Sequence, residues 1–128
     1  MSAQTLLSSG DKYYSYSGVL FGDVSAPATI QLIFIPNTGL RDSYIEVLPY
    51  QGQVVGTGIA DGLGIQINLD DVTIYKDRER APTGGAGPHV DNTIKLFIPR
   101  QSKLEILSLN TANNNTQERG CTLIGYYL

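Results

Sequence analysis

Leu63-Gly64-Ile65-Gln66-Ile67-Asn68-Leu69 alternates apolar and polar residues without a break. A period of two sends successive side chains to opposite sides of an extended chain, so this stretch predicts a strand with one face in a core. Asp61-Gly62 just before it is a strong hairpin dipeptide. Val72 and Ile74 carry the alternation onward past Asp70-Asp71, read as a bulge or kink in the strand.

The same period recurs outward in both directions. Upstream, Tyr13 to Val19, Ala28 to Ile35, Ser43 to Pro49 and the glycine-weakened Val54 to Ile59 read as strands. Pro36-Asn37-Thr38-Gly39 and Gln51-Gly52 read as turns between them, since Pro fixes φ and Asn and Gly accept positive φ. Ile30, Leu32 and Phe34 fall on one face of their strand, with Ile33 and Ile35 on the other. Apolar residues on both faces imply burial on both sides or a seal against a partner. Downstream, Thr93 to Ile98, Lys103 to Leu109 and Cys121 to Leu128 complete the set. No window carries apolar spacing of three and four. About eight strands at intervals of roughly 8–12 residues predict an all-β antiparallel β-sandwich, with an eight-stranded jelly roll preferred because two four-stranded sheets suit the count. The reading is one domain over residues 1–128, with 1–11 as a flexible arm. Two stretches, 76–92 and Asn110 to Gly120, read as long loops, which in compact domains are usually functional or disordered.

The bulk properties agree with a folded binding module. At 128 residues, 41% apolar and only 16% charged, the chain is too apolar for disorder and large enough to fold without metal or disulfide. Net charge is −3 and no Lys/Arg stripe is visible. Nucleic-acid binding without sequence preference needs a basic footprint, so no nucleic-acid partner is expected. Cys121 is the one cysteine, which excludes an intrachain disulfide. The first seven residues lack a basic region and an apolar core, so no signal peptide is expected. The apolar run from Ile30 to Pro36 is too short to span a bilayer, so no membrane is expected either. Asn114-Asn115-Thr116 matches the glycosylation triplet, a pattern common by chance.

Catalytic machinery is not legible. A Cys–His pair would have to use Cys121 and His89, and a small apolar Cys at a strand start is the simpler reading. One histidine leaves no closed zinc site. Asp70 and Asp71 could serve calcium, but adjacent residues of a strand point to opposite faces. Gly56-Thr57-Gly58-Ile59-Ala60-Asp61 lacks the third glycine of a dinucleotide fingerprint, and Gly84-Gly85-Ala86-Gly87 is followed by no Lys-Ser/Thr. Among Asp23, Glu46, Asp61, Glu79 and Glu105 nothing promotes one carboxylate pair for glycoside hydrolysis. No cofactor, no metal and no catalytic residue are expected. Eight tyrosines without a tryptophan suit sheet faces and interfaces, because each offers a large ring with a polar tip.

Ser25-Ala26-Pro27-Ala28-Thr29 leading into Ile30 to Ile35, then Asn37 to Tyr44, resembles the small β-sandwich virion proteins of tailed bacteriophages. The ending, Pro99 to Ile106 followed by Cys121 to Tyr127, does so too. The nearest type is the capsid decoration or cement protein. The resemblance implies a non-enzymatic homotrimer that clamps major capsid protein or another virion protein, assembled in the host cytoplasm and resident in the virion. It transfers no active-site residue. Phe34, Tyr44, Arg78, Arg80, Ile124 and Tyr126 are the expected interface residues. The competing readings on the same fold are a carbohydrate-binding or receptor-binding module and a small jelly-roll enzyme.

Overall fold

The computed structural model of the chain describes residues 6–18, 20–21, 29–56, 63–79, 89–90, 93–109 and 115–128. In chain order the strands are β1 (Leu6–Ser9), β2 (Lys12–Tyr16), β3 (Leu20–Phe21), β4 (Ile30–Ile35), β5 (Ser43–Gly56) and β6 (Leu63–Leu69). They continue with β7 (Val72–Glu79), β8 (His89–Val90), β9 (Ile94–Ile98), β10 (Leu104–Leu109) and β11 (Asn115–Tyr127). Among these described strands, β2, β4, β5, β6, β7, β9, β10 and β11 have five or more residues. They form two antiparallel four-stranded sheets, β2-β11-β5-β9 and β4-β10-β6-β7. Counted along the chain, the orders are first-eighth-third-sixth and second-seventh-fourth-fifth, the winding of a jelly roll. The short pieces extend the first sheet: β1 pairs β2, β3 pairs β11, and β8 pairs β5.

The core lies between the sheets. Ile45, Val47 and Leu123 from the first sheet meet Ile33, Ile67, Leu104 and Ile106 from the second, all buried. β5 and β11 are the longest strands and pair from Ser43–Tyr127 to Asn115–Gly56. Tyr13 is buried among them, and its ring lies across Gly125, its cross-strand partner, where any Cβ would overlap the ring. The Tyr13 hydroxyl reaches Ser43 Oγ at 2.8 Å, and its ring tilts against Tyr127 at 4.9 Å. Burial raises the Tyr13 pKa, the Ser43 hydrogen bond acting against it.

Arg119 is also fully buried, on the core side of β11. Its Nη1 approaches Ser108 of β10 at 3.4 Å from Oγ and 3.5 Å from the carbonyl. Burial lowers its pKa to about 10, which leaves it cationic at neutral pH.

One end of the sandwich is knitted by its connections. Thr38 N donates to Ser102 O, Gln101 N to Gly39 O, and Ser102 N to Thr38 Oγ1. Asp70 N donates to Lys103 O while Lys103 N donates to Asp70 Oδ1. Arg41 grips the Leu128 carbonyl through Nε and Nη2, Asp11 through Nη1, and stands over the Tyr127 ring.

Several expected details change. Asp70-Asp71 is a two-residue hairpin turn, not a bulge, because both residues take positive φ, 50° and 68°, as a primed turn requires. The chain therefore reverses, and residues 76–79 of the expected loop pair with β6 as part of β7. Gln51-Gly52 makes no turn: the register with β11 shifts at Gly52-Gln53, and β5 runs on to pair with β11 again from Val54 to Gly56. Pro49 is tolerated there. Cys121 turns its backbone N and O toward Ser17, so Pro49 opposite it points away from β11, into the interval between the Val47–Ile94 and Tyr50–Val90 pairs. Residues 6–11, expected as arm, form β1 and its hairpin to β2. Residues 115–120, expected as loop, belong to β11. In β4 a register shift opposite Ile106/Leu107 takes Leu32 out of the ladder, so Leu32 is buried with Ile33 and does not share the Phe34 face. The Asp61-Gly62 hairpin lies outside the described residues.

Adding a methyl to an open strand glycine ordinarily favours folding by a few tenths to one kcal/mol. Gly125→Ala should do the opposite, destabilising by about 2 kcal/mol as overpacking does. Tyr13→Phe, which strands the buried Ser43 hydroxyl, should cost about 1 kcal/mol. Urea unfolding of both variants measures the two effects.

Candidate functional site

The outer faces of the two sheets differ in chemistry. On the β4-β10-β6-β7 sheet, a polar row satisfies itself. Gln31 Nε2 donates to Glu105 Oε2 at 2.7 Å, Asn68 Nδ2 to Glu105 Oε1 at 3.1 Å, and Thr73 Oγ1 to Asn68 Oδ1 at 2.9 Å. Gln66 Nε2 donates to both Asn68 and Thr73. The amides, hydroxyl and carboxylate of that row thus bond one another.

The outer face of the first sheet carries rings instead. Register aligns Lys12, Tyr126, Tyr44 and Phe97 in one row across β2, β11, β5 and β9. The next row is Tyr14, Ile124, Glu46 and Lys95, and the one after it Tyr16, Thr122 and Leu48. Tyr50 follows on β5, opposite Gly120. Tyr44 is 51% exposed, Phe97 46% and Tyr16 45%, while Tyr14, Tyr50 and Tyr126 are half-buried. Tyr44 and Phe97 meet edge to face at 5.7 Å, and Lys12 Nζ sits 5.5 Å over the Tyr126 ring. Such contacts hold rings in place at little entropic cost. Among the described residues the charges on these rows are Lys12, Glu46 and Lys95, the last two 4.0 Å apart.

At the Tyr50 end the face dips. Tyr16, Gly18, Tyr50, Gly120, Cys121 and Thr122 line a hollow of about 200 Å³. Its floor is bare for a steric reason: a Cβ on Gly120 would stand 2.7 Å from the Gly18 carbonyl oxygen, while Gly18 takes φ +71°. Ser17 fixes this crossing by accepting from Cys121 N and donating to Gly18 O.

The structure brings Tyr44, Ile124 and Tyr126, three of the expected interface residues, together on this face. It separates Phe34 from them, since Phe34 pairs with Glu105 on the other sheet. Arg78 lies in β7, its side chain outside the described residues, and Arg80 lies wholly outside them. Tyr14, Tyr16, Tyr50 and Phe97 were not singled out from sequence. Parity would have found them: Tyr14 and Tyr16 are two apart, and Tyr44 and Tyr50 share even spacing along one strand.

Cys121 is 5% exposed, and burial pushes its thiol up to about 12. A protonated thiol is not a nucleophile at neutral pH. Among the described residues no three His, Cys, Asp or Glu side chains group as a metal site.

No family model matches the chain, and no curated protein matches it. Among solved structures it is similar to dimeric latent PorU from Porphyromonas gingivalis, with 8% identity and a TM-score of 0.49, covering 98% of this chain. The chain spans 14% of the length of that protein.

The Cys121 environment sets a pH dependence. Its folded pKa lies above the ordinary value of 9.0, so the stability tied to the protonated thiol is complete below pH 9 and is lost as pH rises toward about 12. Wild type should therefore lose more stability than Cys121→Ala between pH 8 and 10.5. Denaturant melts at the two pH values read the difference. A maleimide reagent at pH 7 should label the thiol only after unfolding.

Proposed function

We propose that this chain is a non-enzymatic virion structural protein of the capsid-decoration type, working as a homotrimer that binds major capsid protein subunits in the virion. The observation that carries the docking role is the row Tyr126, Tyr44 and Phe97, half-exposed rings on a sheet face whose described charges are Lys12 at one end and the Glu46–Lys95 pair. Interface cores are enriched in such rings and depleted in charge. The rings are already held by mutual contact, so burying them against another subunit immobilises little that is free. Subunit contact centres on this row and reaches Ile124 beside it. Phe34 belongs to the opposite sheet and takes no part. The resemblance of the Ser25–Ile35, Asn37–Tyr44, Pro99–Ile106 and Cys121–Tyr127 segments to phage virion proteins supports the capsid as the partner, and the host cytoplasm as the place of assembly.

Light scattering coupled to size exclusion tests the assembly. The expected species at micromolar concentration has three times the 13.9 kDa chain mass. Phe97→Asp combined with Tyr44→Asp should give single chains with an unchanged β spectrum. A wild-type species of one-chain mass refutes the trimer, and a trimer that survives both substitutions refutes the interface. Mass spectrometry of purified particles tests the capsid partner.

A further inference from the structure

A trimer closed by rotation cannot lay the ring face against itself. Threefold symmetry joins one patch of a copy to a different patch of the next, so the Tyr44–Phe97 row needs a counterpart elsewhere on the chain. Symmetry also restricts where that counterpart lies. Rotation preserves height along the axis, and a ring of three closes when the two patches occupy adjacent sides of the subunit. Patches on opposite sides propagate a filament.

The edge of the second sheet at β7 meets both conditions. β4 packs on β2 and β11, so the orders β2-β11-β5-β9 and β4-β10-β6-β7 run in the same direction across the sandwich. β7 therefore lies at the β9 margin, around the corner from the ring face. An axis that relates these two sides runs along the strands. Height along it follows from the connections. β9 ends at Ile98, Pro99 to Lys103 lead into β10, and Leu104, Leu69 and Val72 stand in one row. Val72 and Ile74 thus occupy the same end of the sandwich as Phe97.

The chemistry of the edge complements the rings. Val72 is 62% exposed and Ile74 39%, and among the described residues they are the large aliphatic side chains left exposed in strands. Leu40 and Leu128 are exposed as well, but they lie beyond the strand ends, where rotation about the strand direction brings them to no sheet face. Charge agrees in sign. Asp70 and Asp71 precede Val72 and are exposed, Asp71 in a pair with Lys103. Lys95 is two residues from Phe97 on β9 and is exposed beside Glu46. The edge does not invite strand addition, because the register with β6 skips Ile74, and such a bulge twists an edge strand out of pairing. Contact there is made by side chains.

We propose that Val72 and Ile74 of each copy pack on Tyr44 and Phe97 of the next, around a threefold axis running along the β7–β9 margin. This contact rests on the trimer proposed above and supplies its second surface.

Two variants of the full chain test it. The face variant is Tyr44→Asp with Phe97→Asp, and the edge variant is Val72→Asp with Ile74→Asp. Circular dichroism reports folding, and Val72→Asp alone serves should the edge pair fail to fold. Sedimentation equilibrium should find each variant as single chains at a concentration where wild type is trimeric. Mixed in equal amounts at near-millimolar concentration, they should form a species of two chains and none larger, since the edge variant keeps its face and the face variant its edge. An edge variant that remains trimeric overturns the proposal and leaves the trimer standing. So does a mixture that stays as single chains. A wild type of one-chain mass removes the trimer itself, and this contact with it.

Discussion

The crossing of the Tyr13 ring over Gly125 is the constraint on which the rest of this sandwich depends. β11 runs through the middle of its sheet, between β2 and β5, and a glycine there would ordinarily leave a void and a floppy backbone. Here the neighbouring strand fills the space. Tyr13 lies across the missing Cβ and ties β2 to β5 through Ser43, bypassing the strand between them. Three strands are thus bound by one side chain and one absence. The Tyr127 ring closes against Tyr13 from two residues further along β11, and Arg41 covers Tyr127 from outside. The contact is local, yet it sets which faces of β2 and of the paired Thr122–Tyr126 segment of β11 turn inward.

Both sheets have inner faces of Ile, Leu and Val, and hydrophobic burial there explains stability without distinguishing the outer surfaces. The outer surfaces are where the sheets part. In β4-β10-β6-β7 the amide and carboxylate groups of Gln31, Glu105 and Asn68 consume one another's hydrogen-bonding capacity. In the other sheet the outward positions are filled by Tyr14, Tyr16, Tyr44, Tyr50, Tyr126 and Phe97. Phenol rings on an extended sheet hide only part of their area against neighbours, and the hydroxyl keeps the exposed remainder compatible with water. Five of the eight tyrosines lie on that one face. Such a face presents rings where the other sheet presents amides and a carboxylate.

The sandwich was legible because alternation is a local signal, as in Leu63–Leu69, and the jelly roll followed from the strand count. The strand order was not legible, and the expected Val54–Ile59 strand is the end of β5, while β7 is a strand of its own. Turns were less legible. Gln51-Gly52 has the composition of a turn, but the length of β11 decides that β5 runs on through it. Asp70-Asp71 offers no glycine to mark positive φ, and two aspartates taking it in succession reverse the chain where alternation alone suggested continuation. Leu32 defeated simple parity because a register shift in β4 turns it inward, which removes one of the apolar residues that had suggested a face sealed by a partner. The grouping of the expected interface residues was legible only in part for a related reason. Tyr44, Ile124 and Tyr126 share a face through cross-strand register, and register is a long-range property. Phe34 had equal local merit and lies on the other sheet.

Register also links the core to the ring-bearing face. A one-residue slip of β2 against β11 would exchange the roles of Tyr13 and Tyr14, turning the core ring outward and a face ring inward. Only one position under that ring lacks a Cβ: Gly125, flanked by Ile124 and Tyr126. A slip that sets Tyr14 against Leu123 would meet a side chain where Tyr13 meets none, and the opposite slip would lay Tyr14 on Gly125 but turn Tyr13 out beside Tyr126. Further along, Gly120 enforces the same alignment against Gly18, since no other residue fits beneath that carbonyl. The two glycines of β11 therefore act at both ends of its pairing with β2, one admitting a ring into the core and the other opening a hollow on the surface. The outward row of tyrosines follows from the same register that buries Tyr13. The chemistry of the face is set by the packing behind it.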